Sequence, residues 1–273
     1  TGYGASGPYK KRAGYDIILA AETGLLQITG EANGPPVKPG VGFTDMCTGL
    51  YMHGAIVSAL QARNRTGLGQ KLDTSLFETQ LSMLINLGLS WLNQQVEPQR
   101  WGTAHPSIVP YEAFTTKDSY LVIGATNDRQ FGVLCDRLGD PNLKQDDRFK
   151  TNDARISNRE ELKRILDDHF ASKTTDEWMV VFEGSGMPYG PINNLEKAFN
   201  HPQAQARQMI NTVELDAAKA GQIQLISPSV KFSNTPPSVR LAPPLLGEHT
   251  DQILREIGRS DETISDLRKQ GIV

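Results

Sequence analysis

The sequence predicts an α/β chain built from more than one structural region. Three observations predict it. Between residues 46 and 95, a helix rich in small residues, a short strand and a second helix follow one another. Between 111 and 125, two apolar runs flank a polar turn, and helical patterns come after them. From 211 to 245 the texture changes again, to extended pieces heavy in proline.

The elements follow in order. Residues 1–44 are rich in Gly and Pro, and Gly30 to Gly42 holds three prolines and four glycines, which makes it a loop. A helix is expected within this stretch, from Asp16 to Leu26. From Met46 to Arg63 the apolar Leu50, Ile56, Val57 and Leu60 alternate with Cys47, Thr48, Gly49, Gly54, Ala55 and Ala59, the pattern of a helix that neighbours approach closely. Arg63-Asn64-Arg65-Thr66-Gly67 ends it, with basic residues and then Gly. Gln70 to Thr74 reads as a short strand. A helix from Leu76 to Gln95 follows, turning Phe77, Leu81, Leu84, Ile85 and Leu92 toward a core.

Tyr111–Phe114 and Tyr120–Ala125 read as strands joined by Thr116-Lys117-Asp118-Ser119. Helices are expected at Asp128–Leu138, Arg159–Ala171, Thr175–Gly184, Asn194–Phe199 and Pro202–Arg207, with a turn at Gly186–Pro191. Two closing helices, Asp251–Ile257 and Glu262–Lys269, complete the chain. Ser260 caps the second, and acids in its first turn suit the helix dipole.

Composition narrows the function. The 273 residues suffice for a sizeable core. Lys plus Arg number 28 against 31 for Asp plus Glu, a net charge of −3, so no bulk attraction to nucleic acid or an anionic membrane follows. Two cysteines, Cys47 and Cys135, exclude a disulfide-dense scaffold and a four-cysteine zinc site. No run approaches the roughly 18 apolar residues of a membrane span. The opening Thr1-Gly2-Tyr3-Gly4-Ala5-Ser6-Gly7-Pro8 reads as the interior of something longer, so a processed or truncated product is expected.

Few residues promise chemistry. Asp45 sits where a Gly-rich loop meets the small-residue helix. It reads either as that helix's N-cap or as a nucleophilic or basic carboxylate open to a ligand. The histidines lack metal-ligand spacing, so no metal site is expected. His53 reads as packing, His169 as a helix-end cation, and His201 and His249 as capping residues. His105, in Gly102-Thr103-Ala104-His105-Pro106, lies in a loop, where polar residues more often carry function. Gly67-Leu68-Gly69 is too short for a phosphate loop, and no Ser is framed as Gly-x-Ser-x-Gly.

A set of short motifs then gives direction. They are Thr1-Gly2-Tyr3-Gly4 with Gly7-Pro8-Tyr9, Gly14-Tyr15-Asp16, Asp45 followed by Gly49, and Arg65-Thr66-Gly67-Leu68-Gly69-Gln70. His105-Pro106-Ser107 with Pro110-Tyr111, Gly190-Pro191-Ile192-Asn193, His201-Pro202-Gln203 and Leu245-Leu246-Gly247-Glu248-His249-Thr250 complete the set. In this order and spacing the chain resembles the family III, CaiB/BaiF-type, CoA-transferases.

The resemblance implies that family's α/β fold, with part of a Rossmann-like large domain and a smaller α+β domain. Residues 1–110 would belong to the large domain, 111–210 would form the small one, and 211–273 would return to the large one. It implies Asp45 as the nucleophile that carries an acyl anhydride and then a CoA thioester. It places Tyr15 against the acyl group, Arg12 and Leu76 near CoA, and His105 in the substrate region. No permanent cofactor is implied; acyl-CoA and dicarboxylic acids are the substrates, such as succinyl-CoA with glutarate or hydroxymethylglutarate. A homodimer of interlocked subunits and a mitochondrial location are implied too.

Two alternatives stand beside this. Related 2-methylacyl-CoA racemases carry Gly-His-Asp where this chain has Gly14-Tyr15-Asp16. A phenol with a pKa of about 10 is a poor proton exchanger near neutrality, so Tyr15 favours transfer over racemisation. The other is a non-catalytic fragment that folds and pairs only. The family's members carry a further segment ahead of the position of Thr1.

Overall fold

The computed structural model describes residues 1–273. The chain divides into two compact units, Thr1–Ile192 and Asn193–Val273. This division differs from the expected segments 1–110, 111–210 and 211–273. The sheet that starts at Tyr111 clusters with the helices before it, and the short helices after Asn193 cluster with the C-terminal hairpin and helices.

The first unit opens with helices. They are α1 (Asp16–Glu22), α2 (Leu25–Ile28), α3 (Phe43–Thr66), α4 (Leu76–Met83) and α5 (Ile85–Gln94). The single helix expected over Asp16–Leu26 is broken at Gly24, whose φ of 89° lies in the left-handed region that glycine adopts without strain. α1 packs on α2, α3 and α4, with Leu19 and Ala20 fully buried. α3 ends where basic residues and Gly67 predicted, with Gly67 at φ 74° and its N–H on Arg63 O.

Three expectations here need correction. Gln70–Thr74 pairs in no sheet, and residues 1–110 hold helices only. Thr1 and Gly2 instead lie alongside the start of α4, accepting from Leu76 N and Phe77 N at 3.0 Å each. The helix expected over Leu76–Gln95 breaks at Leu84, because Ile85 takes φ 47°. Leu81 in α4, and Ile85 and Leu92 after the break, are exposed rather than core. His53, expected to pack, is exposed on α3.

The core belongs to the antiparallel sheet β1 (Tyr111–Thr115), β2 (Tyr120–Gly124) and β3 (Tyr189–Pro191), in the order β1-β2-β3. Tyr111 faces Gly124 and Thr115 faces Tyr120, the hairpin that the two apolar runs predicted. β3 falls within the expected Gly186–Pro191 turn. Alternation turns Phe114, Leu121 and Ile123 inward against α6 (Asp128–Leu138), α8 (Arg159–Phe170) and α9 (Thr175–Phe182). Between α6 and α8 lies α7 (Asn152–Ser157). Phe170 stacks on Phe114 at 4.7 Å and meets Trp178 edge-on at 5.2 Å, while Trp178 Nε1 donates to Phe170 O.

Local chemistry sets the helix starts. Asn127 caps α6 and Thr174 forms a capping box with Glu177 on α9. Arg155 of α7 is fully buried. It donates to Val109 O, Phe149 O and Asp128 Oδ1, so its charge is not left unpaired. Burial pushes the Cys135 thiol up to about 12, which makes it a packing group rather than a nucleophile.

The second unit holds α10 (Leu195–Phe199), α11 (Pro202–Ala206), the hairpin β4 (Ile210–Glu214) and β5 (Gln222–Ile226), then α12 (Thr250–Glu256) and α13 (Asp261–Lys269). His201 caps α11 through Nδ1, as expected, and Ser260 caps α13. No helix is long and apolar enough to cross a membrane.

Candidate active site

The start of α3 is fixed from two sides. Thr44, fully buried, donates through Oγ1 to Gln80 Oε1 of α4 at 2.9 Å. Thr48 Oγ1 closes back on Thr44 O at 2.8 Å. On the other side, the Asp45 N–H donates to Asp16 Oδ2 at 3.1 Å. Asp16 is the first residue of α1, so one carboxylate ties two helix N-termini together.

Asp45 itself is exposed, and it is not the N-cap. Gly42 holds that position and offers no side-chain cap, while Asp45 lies in the first turn. Its carboxylate is therefore free of a capping duty and stands in the positive field of a 24-residue helix. Such a field favours an anion there, and unpaired N–H groups of a first turn can serve an oxyanion. Gly42 keeps the approach open. A Cβ built there would fall 3.5 Å from Asp45 Oδ2 and 3.7 Å from Asp16 Oδ2, so both carboxylates border the space its missing side chain leaves.

The other expected residues fall into three places. Tyr15 is the N-cap of α1, directly before Asp16, and is 78% exposed. Leu76, half-buried in the first turn of α4, has its N–H on Thr1 O. Arg12 makes an ion pair with Glu22 at 2.6 Å and lies over the rings of Tyr3 and Tyr9. Tyr3 O–H donates to the same Glu22, and desolvation, followed by that hydrogen bond, raises the Tyr3 pKa.

His105 belongs to a different neighbourhood. Its ring stacks on Tyr111 at 5.6 Å, its Nδ1 accepts from Ser107 N, and Arg159 Nη2 donates to its carbonyl. It borders a cavity of about 510 Å³ together with Ile28, Leu87 and Trp101. The structure thus ties Asp45 to Asp16, the chain neighbour of Tyr15, and leaves His105 with partners of its own.

Asp16 and Gln80 are the residues that reading for candidate sites missed. Asp16 stands in the Gly14-Tyr15-Asp16 motif, yet its contact with Asp45 spans 29 positions, which no local pattern reveals. No group of three or more His, Cys, Asp or Glu gathers as a metal site would.

The profile of CoA-transferase family III matches residues 1–250. An acyl-CoA transferase of Fusarium pseudograminearum is 56% identical over 273 residues, covering all of this chain and 60% of that protein. The human succinyl-CoA:glutarate CoA-transferase is 44% identical over 274 residues, covering all of this chain and 62% of that protein. A crystal structure of a CaiB/BaiF family protein from Brucella suis superposes with a TM-score of 0.82 at 37% identity, covering 94% of this chain and 66% of that one. The chain thus spans about three-fifths of the length of these curated relatives. On the family match and these relatives together, the chain belongs to CoA-transferase family III.

Proposed function

We propose that this chain carries the nucleophile of a CoA-transferase that moves CoA between dicarboxylic acids, with Asp45 as the covalent residue. The observation that carries the reading is the Asp45 carboxylate itself: exposed, in the first turn of α3, beside a glycine whose missing side chain leaves the approach clear.

The chemistry proceeds in four balanced steps. An Asp45 oxygen attacks the thioester carbonyl of the donor acyl-CoA, the C–S bond breaks, and a mixed anhydride and CoA thiolate result. The thiolate attacks the aspartyl carbonyl and releases the donor carboxylate, leaving an aspartyl-CoA thioester. The acceptor carboxylate attacks that thioester and expels the thiolate, forming a second anhydride. The thiolate attacks the acceptor's acyl carbon, and the new acyl-CoA departs with Asp45 restored. A carboxylate suits this work because the anhydride it forms acylates a thiolate readily. First-turn N–H groups supply donors to each oxyanion. Tyr15 lines the acyl side, and Asp16 holds the Asp45 backbone in place through the N–H. Arg12 and Leu76 are assigned to CoA, and His105 to the substrate region.

Succinyl-CoA and glutarate are the proposed pair, because the human and mouse relatives and one from Agrobacterium fabrum carry those substrates in their names. A homodimer and a mitochondrial setting are part of the same proposal. The test is exchange of CoA from succinyl-CoA to glutarate by the native protein, beside Asp45→Asn. The reading predicts loss of exchange in the variant with an unchanged thermal midpoint. Wild-type rates in Asp45→Asn would overturn it.

A further inference from the structure

A cavity of about 620 Å³ is bordered by Trp101, Thr103, Glu112, Tyr120, Arg159 and Lys163. Glu112 is the anomaly in it. It lies on the inward face of β1, two residues before the core residue Phe114, and only 5% of it is exposed. A carboxyl in that position is costly unless it is hydrogen-bonded. The protein gives it none. Its ion-pair partner, Lys163 Nζ, stands 3.9 Å from Oε2, beyond hydrogen-bond reach.

The cations beside it are held by other groups. Lys163 Nζ lies 2.7 Å from both carboxylate oxygens of Asp167. Arg159, one turn earlier on α8, lies over the Trp101 ring at 4.9 Å and donates through Nη2 to His105 O and Pro106 O. Its Nη1 is buried with no partner at all. The cavity is therefore bordered by a carboxyl without a hydrogen bond and by Arg159, whose buried Nη1 has no partner.

We propose that this cavity binds a small carboxylic acid, its carboxylate held between Lys163 and Glu112. At 3.9 Å the ammonium and the carboxylate are too far apart for a direct hydrogen bond. Lys163 and Arg159 are the cations of the lining, and Glu31, Glu112 and Glu160 are its acids. The carboxylates of Glu31 and Glu160 sit on the rim, exposed and screened by solvent.

Glu112 accommodates an anion by taking a proton. Desolvation already raises its pKa. Lys163 and Arg159 oppose that shift, and Asp167 and Glu160 add to it. Glu31 and the Tyr120 hydroxyl complete the titratable groups around it. A second carboxylate at bonding distance raises the pKa further, so the acid binds together with a proton from solvent, and the protonated Glu112 donates to it. The inference does not rest on the CoA-transfer reading.

Titration calorimetry of this 273-residue chain with glutarate tests it, run at neutral pH in two buffers of different ionisation enthalpy. Binding with net proton uptake is expected, and glutaramide, which has the same shape without charge, gives no heat. Lys163→Met weakens binding about tenfold or more, the scale of one charge-assisted hydrogen bond. Glu112→Gln still binds but takes up no proton. It also melts at a higher temperature than the parent chain, because an amide leaves no charge to desolvate. The proposal fails if glutarate gives no heat, if Lys163→Met binds equally well, or if proton uptake survives in Glu112→Gln.

Discussion

Gly42→Ala separates the chemistry of α3 from its stability. At Gly42 φ is −69°, which any residue adopts, and an added Cβ meets nothing closer than 3.5 Å. The backbone therefore accepts alanine without strain. Alanine is a poorer N-cap than glycine by about 0.5–1 kcal/mol, and the stiffer unfolded chain returns about 0.4–1 kcal/mol. The two nearly cancel, so the melting temperature should move by no more than about 2 °C. Function should respond differently. The new methyl stands 3.5 Å from Asp45 Oδ2, and an attacked carbonyl carbon must come within about 3–3.5 Å of its nucleophile. Displacing it by about 1 Å costs about 100-fold, or about 2.7 kcal/mol of barrier. The assay is chromatographic: glutaryl-CoA formed from succinyl-CoA, beside a thermal melt of the same sample. A variant that melts normally and retains more than about a third of the parent rate would refute the reasoning.

Two further predictions concern the fold. Arg155→Met leaves Val109 O and Phe149 O without their donors in a site with no solvent. It should destabilise the first unit by about 3 kcal/mol, the lower end for a broken buried pair because Asp128 is half in water, and urea titration reads this directly. The Asp118 carboxylate accepts from the Thr175 backbone N–H, and that bond foremost lowers its pKa. Its contribution to stability is thus present above the ordinary aspartate range and is lost as pH falls through the lowered value. Asp118→Asn should flatten the melting temperature across that acid window, and an unchanged pH profile would contradict the assignment.

Much of the fold is legible because its signals are local. Asn127 and Gln130 at the start of α6, Thr174 and Glu177 at α9, and Arg63 to Gly67 at the end of α3 each declare a helix boundary within a few residues. The apolar runs Tyr111–Phe114 and Tyr120–Ala125 need only the polar turn between them to become a hairpin. What was not legible is non-local. Gln70–Thr74 has strand composition, but a strand also needs a partner, and its neighbour is the extended Thr1–Gly2 segment without a sheet. The break at Ile85 has no helix-breaking residue to announce it, because no Pro or Gly stands between Leu76 and Leu87.

The candidate site divides along the same line. Asp45 stands out at a loop–helix junction, yet its local pattern reads first as a cap. Only the set of motifs spread along the chain favours the nucleophile. Asp16 and Gln80, which hold that turn in place, come from other helices 29 and 35 positions away from Asp45 and carry no local mark of the contact. Glu112 was unremarkable in sequence, because the core face of β1 is fixed only once α8 is packed on it.

Mass analysis of the quenched native protein bears most directly on Asp45. Succinyl-CoA is added alone, the reaction is stopped in acid, and the peptide spanning Phe43–Arg63 is sequenced. The account predicts CoA bonded through sulfur to Asp45, converted by borohydride to an alcohol at that one position, and discharged when glutarate is added before the quench. An unmodified peptide during active turnover, or CoA on any other carboxylate, would contradict it.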